Sequence, residues 1–344
     1  MLGSDIIQVV ELDTRWPTLN PFLFCVYHYD AYPSGNSAME PDSSLLRGRD
    51  IGSDFDPSNP WRMYHGRTVP GFPAHPHRGF ETLTIVRDGV VDHFDSMGAT
   101  GRYGQGDTQW MTAGKGVQHS EMFPLIHQDA PNTLELFQIW INLPGEKKFS
   151  DPHFVMFWKE RIPHEVFIDS AGCKTQVEVI AGALGESRAI DPPPDSWAYD
   201  SANGVAVWVI DMAPNARWLL PSAGEGLNRV LYFYQGDNLM INETKLPSMR
   251  AAVIRSDRPA ELVAGANGAR ILMLQGKAIN EPVSQYGPFV MNTQAQIQQA
   301  FRDYQTTEFG GWSWGRSDPV HGAKQRRFAR FSDGREEQPD TNND

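Results

Sequence analysis

Two short triplets in the first half of the chain carry side chains that could bind a metal. The first has His75 and His77 on either side of a proline, and the second has His119 and Glu121 on either side of a serine. Side chains two residues apart in an extended strand point to the same face. If both strands line one barrel, the three imidazoles and the carboxylate converge on one point. Together they form a ligand set for a divalent first-row metal, and they leave two positions of an octahedron open.

The chain between the triplets predicts the strands of a small antiparallel barrel. An alternating strand runs over 81–87, a tight turn follows at Asp88-Gly89, and a second strand continues through Phe94. Glycines suit corners and bulges in such a barrel, and here they stand at 101, 104, 106, 114 and 116. Pro76 cannot donate to a strand ladder, which favours a place for the first triplet at the start of a strand, on the barrel rim.

Three long motifs resemble the pirin family of the cupin superfamily. They read HPHRGFETLTIV, GDTQWMTAGKGVQHSEM and QYGPFVMNTQAQIQQAF, and they occur in the family's order in both halves of the chain. The resemblance implies an all-β fold of two tandem cupin (jelly-roll) β-barrels with a short C-terminal α-helix. It also implies that Glu121 joins His75, His77 and His119 around the metal. The general cupin pattern would use Glu81 instead, which the pirin pattern leaves to orient a histidine.

Composition and turn signals divide the chain into segments. With 344 residues, 31 glycines and 25 prolines, it is long enough for two mostly β domains. We expect a metal-binding barrel over 1–145, a linker over 146–165, a barrel without metal ligands over 166–290, a helix over 291–309 and a flexible tail over 310–344. The long loop at 30–70 is interpreted as an insertion near the mouth of the site, with a solvated decoration as the alternative.

The second set of strands looks like a copy of the first. RVLYFYQGDNLMI parallels LTIVRDGVVDHF, a strand, a glycine turn and another strand in each case. No histidine occurs between Glu165 and Val320, so a second three-histidine site is impossible there.

The net charge and the number of cysteines argue against several kinds of partner and protein class. A net charge of −12 argues against binding along a nucleic-acid backbone, and no apolar run approaches the length of a membrane span. The two cysteines, Cys25 and Cys173, cannot build a disulfide framework. We expect a monomeric cytoplasmic protein with no nucleic-acid or membrane partner. A basic cluster over 324–330 leaves nuclear localisation as an alternative to a solvated terminus.

The resemblance also implies a chemistry. Fe²⁺ is the implied metal, although the ligand types equally admit Zn, Mn, Ni, Cu or Co. Pirins and close cupin relatives include quercetin 2,3-dioxygenases, which open a flavonol ring with O2 and release carbon monoxide. Transferred here, this predicts a flavonol and O2 as substrates, with Glu121 as the catalytic base. Phe72, Trp110 and Met122 are the side chains expected to stack on flat rings.

A second class of function remains open at this point. Pirins also include non-catalytic, metal- and redox-sensing co-regulators that bind transcription factors. A site sealed by the 30–70 insertion would favour such a regulator, and an accessible site would favour the dioxygenase. A zinc isomerase is disfavoured, because no basic residues concentrate around the motifs to hold a sugar phosphate.

Overall fold

The computed structural model describes residues 5–339, which form 27 β-strands and one α-helix. The strands up to residue 157 are β1 (Ile6–Glu11), β2 (Arg15–Trp16), β3 (Phe22–Tyr32), β4 (Gly71–His77), β5 (Phe80–Asp88), β6 (Val90–Asp95), β7 (Thr100–Gly104), β8 (Thr108–Thr112), β9 (Val117–Met122), β10 (Asn132–Asn142) and β11 (His153–Phe157).

The remaining strands begin at residue 164. They are β12 (His164–Ile168), β13 (Lys174–Ala181), β14 (Ala183–Leu184), β15 (Ser187–Arg188), β16 (Ala206–Met212), β17 (Arg217–Leu220), β18 (Leu227–Gly236), β19 (Asn238–Ile241), β20 (Thr244–Pro247), β21 (Arg250–Ile254), β22 (Ala260–Ala264), β23 (Ala269–Lys277), β24 (Ser284–Tyr286), β25 (Phe289–Met291), β26 (Phe328–Arg330) and β27 (Glu336–Glu337). The helix, α1, spans Gln294–Thr307, and short 3₁₀ turns lie at Ser43–Leu46, Gly145–Lys147, Lys159–Arg161, Ser201–Asn203 and Glu308–Gly310.

The unit that carries both triplets is called the first barrel. It consists of Val26–Ile139, Leu143–Glu160 and the chain from Glu281 onward. One of its sheets has the strand order β11-β8-β5-β10-β3, and the other has the order β27-β26-β7-β6-β9-β4. Buried side chains from both sheets form one apolar cluster, including Val86, Met111, Val117, Leu136 and Phe154. The metal triplets lie on β4 and β9, which are neighbours in the second of these sheets.

The other unit, the second barrel, is built mainly from Arg161–Asn280. A seven-stranded sheet has the order β1-β21-β18-β23-β16-β13-β12, and a four-stranded sheet has the order β17-β22-β19-β20. Alternate residues of both sheets, such as Trp208, Leu231 and Leu262, share one buried cluster. Two barrels and one short helix confirm the predicted fold class. No helix in the part of the chain that the structure describes is long and apolar enough to cross a membrane.

The first strand corrects the expected boundary of the 1–145 domain. β1 pairs antiparallel with β21, from Ile6 opposite Ile254 to Glu11 opposite Arg250. The Ile6 side chain is 6% exposed and belongs to the core of the second barrel. An alternating strand pattern predicts a buried face but does not say which sheet edge accepts the strand. The N-terminal segment therefore belongs with the second barrel.

The expected linker over 146–165 is also largely structured. β11 pairs antiparallel with β8, from His153 opposite Thr112 to Phe157 opposite Thr108. Phe154 and Met156 are buried in the core of the first barrel. This segment therefore supplies an edge strand of the first barrel, and only a few residues remain before β12 of the second barrel.

The expected flexible tail is wrong for residues 310–339. β26 extends the sheet of the first barrel by pairing with β7, and the chain before it is fixed by Arg102, which donates to the carbonyl oxygens of His321, Gly322 and Gln325. In the basic cluster, Arg327 forms ion pairs with Asp107 and Glu160. This segment has an irregular backbone that the buried guanidinium of Arg102 holds in place. Such a segment has no periodic spacing of apolar residues, so the sequence pattern could not predict that it is ordered. The tail beyond residue 339 lies outside the described residues.

The predicted helix is present over a shorter range and packs within the first barrel. Thr293 and Gln296 form a reciprocal capping box at its N-terminus. Its apolar stripe includes Ile297, Phe301 and Tyr304, and it packs in a cluster with Phe289 and Phe309. Asp303 of the helix forms an ion pair with Arg78, directly after β4. The helix is thus part of the structure that holds the metal-binding strand.

The 30–70 insertion packs into the first barrel rather than decorating its surface. Trp61, Met63 and Tyr64 are buried and belong to the barrel core. Tyr64 also bridges Asp54 on one side and Gly71 on the other. Since Gly71 is the first residue of β4, the insertion lies beside the strand that carries His75 and His77.

Candidate metal centre

The pairing of β4 with β9 brings the three histidines together. His75 lies opposite His119, and His77 lies opposite Val117. The ring centroids of the three imidazoles are 4.5–4.9 Å apart. Each ring has one nitrogen within 4.8 Å of a nitrogen of the other two. Three nitrogen atoms at this separation suit one ion at normal metal–nitrogen distances.

Glycines with positive φ allow the two strands to begin where they do. Gly71 starts β4 with φ +132°, and a Cβ there would lie 2.5 Å from the carbonyl oxygen of Glu121. Gly116 precedes β9 with φ +131°, and a Cβ there would lie 2.7 Å from the ring of Phe309. Both positions therefore require glycine, for conformation and for space.

Burial keeps the imidazoles in the neutral form that binds metals. His77 and His119 are 3% and 0% exposed, whereas His75 is partly exposed. Burial lowers the pKa of His75 to about 4 and holds the pKa values of His77 and His119 well below the usual range. A neutral imidazole presents a lone pair, which is the ligating species.

The hydrogen bonds of the three rings fit metal binding. Nδ1 of His75 lies 2.9 Å from the carbonyl oxygen of Pro73, and the ring of His77 is bonded to the carbonyl oxygen of Pro288. A backbone carbonyl on one nitrogen fixes the tautomer and leaves the other nitrogen to ligate. His119 has no hydrogen-bond partner on either nitrogen among residues 5–339. A buried, unpartnered nitrogen is costly unless something outside the chain binds it.

Glu121, the predicted fourth ligand, lies beside the three rings. Its Oε2 is 3.7 Å from Nε2 of His119. Gln138 donates a hydrogen bond of 2.9 Å to Oε2, and the hydroxyl of Thr84 lies 3.1 Å from Oε1. Burial raises the pKa of this carboxyl, against the opposing effects of His93 and of the two hydrogen bonds. Glu121 is thus oriented toward the site, and its role as a ligand stays a prediction.

Three polar residues beside the site are not predicted from the sequence. Thr84 and Gln138 hold Glu121, and His93 lies opposite Glu121 in the pairing of β6 with β9. The ring of His93 is 5.5 Å from that of His119, and its Nε2 is 3.3 Å from Oδ2 of Asp95. The alternation of β6 could have indicated His93. Thr84 and Gln138 stand among other polar residues of β5 and β10 and carry no motif.

The role of Glu81 in orienting a histidine stays a prediction. It is fully buried, and its Oε1 accepts a 2.8 Å hydrogen bond from Thr112 of the neighbouring strand. In a strand the side chains alternate between faces, so Glu81 lies on the face of β5 opposite to Thr84. Backbone carbonyls bond the rings of His75 and His77.

Of the three side chains expected to stack on a substrate, only Phe72 lies at the site. Its ring centroid is 6.3 Å from that of His75 and 5.1 Å from that of Tyr64. Met122 follows Glu121 along β9 and so points to the other face. Trp110 is fully buried and packs against Phe157. Trp110 and Met122 therefore pack within the protein on the far side of their strands.

Solved structures share this architecture. The chain resembles a quercetin 2,3-dioxygenase from Acinetobacter baumannii with a TM-score of 0.70 and 24% sequence identity, covering 89% of this chain and 98% of that one. A second quercetin 2,3-dioxygenase structure from this organism gives a TM-score of 0.67 at 18% identity, covering 94% and 98%. At these identities the likeness shows the fold.

Sequence comparisons identify the family. The Pirin family model matches residues 45–141, and the model described as "Pirin C-terminal cupin domain" matches residues 207–310. Pirin-1 of Arabidopsis thaliana is 35% identical over 246 residues, which is 70% of this chain and 78% of that protein. A Pseudomonas aeruginosa protein named "Putative quercetin 2,3-dioxygenase" is 33% identical over 259 residues, 75% of this chain and 82% of the relative. Two cupin barrels, a three-histidine centre in the first and these matches lead to one conclusion: the chain belongs to the pirin family.

Proposed function

We propose that this pirin is an Fe²⁺-dependent dioxygenase that opens flavonols such as quercetin with O2 and releases carbon monoxide. The observation that carries the proposal is the convergence of three neutral imidazoles beside one buried carboxylate. The name of the Pseudomonas aeruginosa relative supports the same reaction class.

The chain offers a defined place for the ion. His75, His77 and His119 would hold it, with Glu121 as a fourth ligand or a neighbouring carboxylate. When bound there, a redox-active metal supplies the one-electron chemistry that reaction with O2 requires. The unpartnered ring of His119 fits this role, since coordination would satisfy one of its two nitrogens, which no described residue satisfies.

Glu121 is the residue placed to accept a proton. In the proposed reaction its carboxylate takes the proton of the flavonol 3-hydroxyl, which leaves that oxygen negatively charged. The raised pKa of the Glu121 carboxyl makes it a stronger base than an exposed glutamate. Thr84 and Gln138 hold the carboxylate in one orientation beside His119.

The partial exposure of His75 supports an enzyme over the alternative regulator. His75 is partly exposed, whereas His77, His119 and Glu121 are buried. The Phe72 ring lies beside His75 and is itself partly exposed, backed by Tyr64 of the insertion. A flat substrate ring could stack on Phe72 there and exclude water from the carboxylate. A transcription-factor partner, the cellular location and the monomeric state stay predictions.

The test is anaerobic reconstitution of the full chain with Fe²⁺, followed by admission of oxygen and measurement of the flavonol absorption band and of carbon monoxide. We expect turnover, with about 10- to 100-fold lower kcat in Gln138→Leu, because Glu121 loses its orienting donor. Glu121→Gln should be inactive. His164→Ala, an exposed histidine in the second barrel, is the matched control.

Protein shown to be loaded that gives no turnover with any divalent metal would refute the enzymatic proposal and leave the co-regulator. Full activity in Glu121→Gln would leave the reaction intact but remove the proposed base.

A further inference from the structure

Two arginines of the described chain are only 1% exposed, and their surroundings differ. Arg102, in the first barrel, is held by both carboxylate oxygens of Asp92 at 2.6 and 2.7 Å. Arg229, in the second barrel, donates from Nε to Oε1 of Gln275 at 2.6 Å and from Nη1 to the carbonyl oxygen of Pro221 at 2.8 Å. Within residues 5–339 no carboxylate pairs with Arg229, and its Nη2 has no partner.

Arg229 therefore carries an uncompensated charge in the barrel. Burial lowers the pKa of its guanidinium to about 10, which still leaves it charged at neutral pH. Buried charges in proteins are normally paired, because desolvating one without a partner is costly. A buried unsatisfied polar group of this kind is where an unseen ion or ligand is expected.

The charge lies at one end of the barrel interior. Arg229 of β18 lies directly opposite Gln275 of β23. Two residues further along the same strands, Leu231 and Met273 lie in the apolar core. Because alternate residues share a face, the Arg229 and Gln275 side chains also point inward, beyond the last core layer.

A cavity of about 190 Å³ lies at this end, and Gln275 forms part of its wall. Gln275 thus lines the cavity on one side and accepts from Arg229 on the other, and its own Nε2 donates to the carbonyl oxygen of Gly204 at 3.0 Å. The other polar side chains in the wall are Arg188, Asp191, Tyr199 and Ser201. The charges of Arg188 and Asp191 cancel. The buried guanidinium of Arg229 therefore gives the region around the cavity a net positive charge.

We propose that this cavity binds a small organic carboxylate. Arg229 is not part of the cavity wall and acts through its hydrogen bond to Gln275, whereas the Gln275 amide and Arg188 in the wall offer direct donors. The wall also includes Ile190, Pro192 and Val205, which suit the hydrocarbon part of an organic anion better than an inorganic ion. The site is separate from the histidine centre, since its residues all lie in the second barrel.

The experiment is calorimetric titration of the full-length protein with benzoate and acetate, each compared with its uncharged amide, benzamide or acetamide, at constant ionic strength. We expect saturable binding of at least one carboxylate and none of the amides. Arg229→Met should weaken binding about tenfold or more, and Arg188→Gln several-fold. Without ligand, Arg229→Met should melt at the same or a higher temperature, because an unpaired buried charge is removed.

Each result of the titration either supports or overturns the proposal. Absence of saturable carboxylate binding, equal binding of an amide, or parental affinity in Arg229→Met would overturn the proposal. If Arg229→Met does not fold, the exposed Arg188→Gln variant decides: weaker binding supports the site, and unchanged binding overturns it. Metal content should be unchanged in both variants, which keeps the result independent of the histidine centre.

Discussion

Among the histidines of the metal centre, His119 depends most on the ion. Its ring is fully buried, and neither nitrogen has a hydrogen-bond partner within residues 5–339. The other two rings are each held by a backbone carbonyl. A ring without a hydrogen bond contributes to the site mainly through coordination.

Replacing His119 should therefore remove the metal. We expect His119→Ala to retain less than about a tenth of the parental metal content, because two imidazoles bind far more weakly than three. Inductively coupled plasma mass spectrometry on protein purified without added metal measures this, with His164→Ala as the control. Unchanged metal content in His119→Ala would mean that the three rings do not share an ion.

A second buried group gives a prediction about pH. Nζ of Lys148 donates to the carbonyl oxygens of Gly79 and Val290, and burial lowers its pKa to about 7 against a smaller raising effect of Glu281. In the unfolded chain this lysine keeps an ordinary pKa near 10.5. Between these values the unfolded state binds more protons, so Lys148 makes stability rise with pH.

The comparison of parent and Lys148→Met isolates this effect. From pH 7 to about pH 9.5 the parent should gain about 3 kcal/mol of unfolding free energy relative to the variant. Urea unfolding at several pH values, followed by tryptophan fluorescence, provides the measurement. Parallel pH profiles for the two proteins would show that the lysine is charged in the folded state.

At the scale of single elements, α1 stabilises the strand that carries the first triplet. The capping box at Thr293 fixes the start of the helix, and Asp303 pairs with Arg78 directly after β4. Thr293→Ala should lower the unfolding free energy of the first barrel by about 1 kcal/mol. The control is Thr306→Ala, at an exposed site of the same helix, which should leave stability unchanged or raise it slightly because alanine favours the helix. Equal effects of the two changes on urea unfolding would argue against the cap.

The sequence predicts the elements that are specified by residues close together in the chain. The two triplets, the strands around them and α1 follow from alternation, helical spacing and capping residues that stand close together. The residues near a strand do not specify which strand it pairs with, so the sequence places β1 in the wrong barrel. Thr84 and Gln138 reach Glu121 only through strand pairing, and nothing beside them in the chain marks that contact.

At the scale of the whole molecule, the first barrel combines segments that are far apart in the chain, before Glu160 and after Glu281. Its core and its metal strands come from the first half, while α1, β26 and the carbonyls around Arg102 come from the last sixty residues. The tail lacks any periodic pattern because its order depends on a buried guanidinium and on strand addition. This is why it resembles a disordered terminus in sequence.

Truncation after Gly310 should therefore damage the metal centre. The change removes the β26–β7 pairing, the Trp314 hydrogen bond to the Asp95 carbonyl, and three acceptors of Arg102. We expect metal content to fall and limited proteolysis to cut the first barrel while the second barrel survives. Arg335→Ala, at an exposed ion pair, should have almost no effect. A truncated protein with parental metal content would contradict this account.

The dependence of the first barrel on the last sixty residues has a consequence for how the protein is made. Every segment of the second barrel has left the ribosome once Asn280 has emerged, whereas the first barrel still awaits the chain from Glu281 onward. At ~5–20 residues per second, the histidine strands wait several seconds as an incomplete sheet. The second barrel is thus complete before the first, and the three histidines can share a metal ion only after the segments that follow Glu281 have been made.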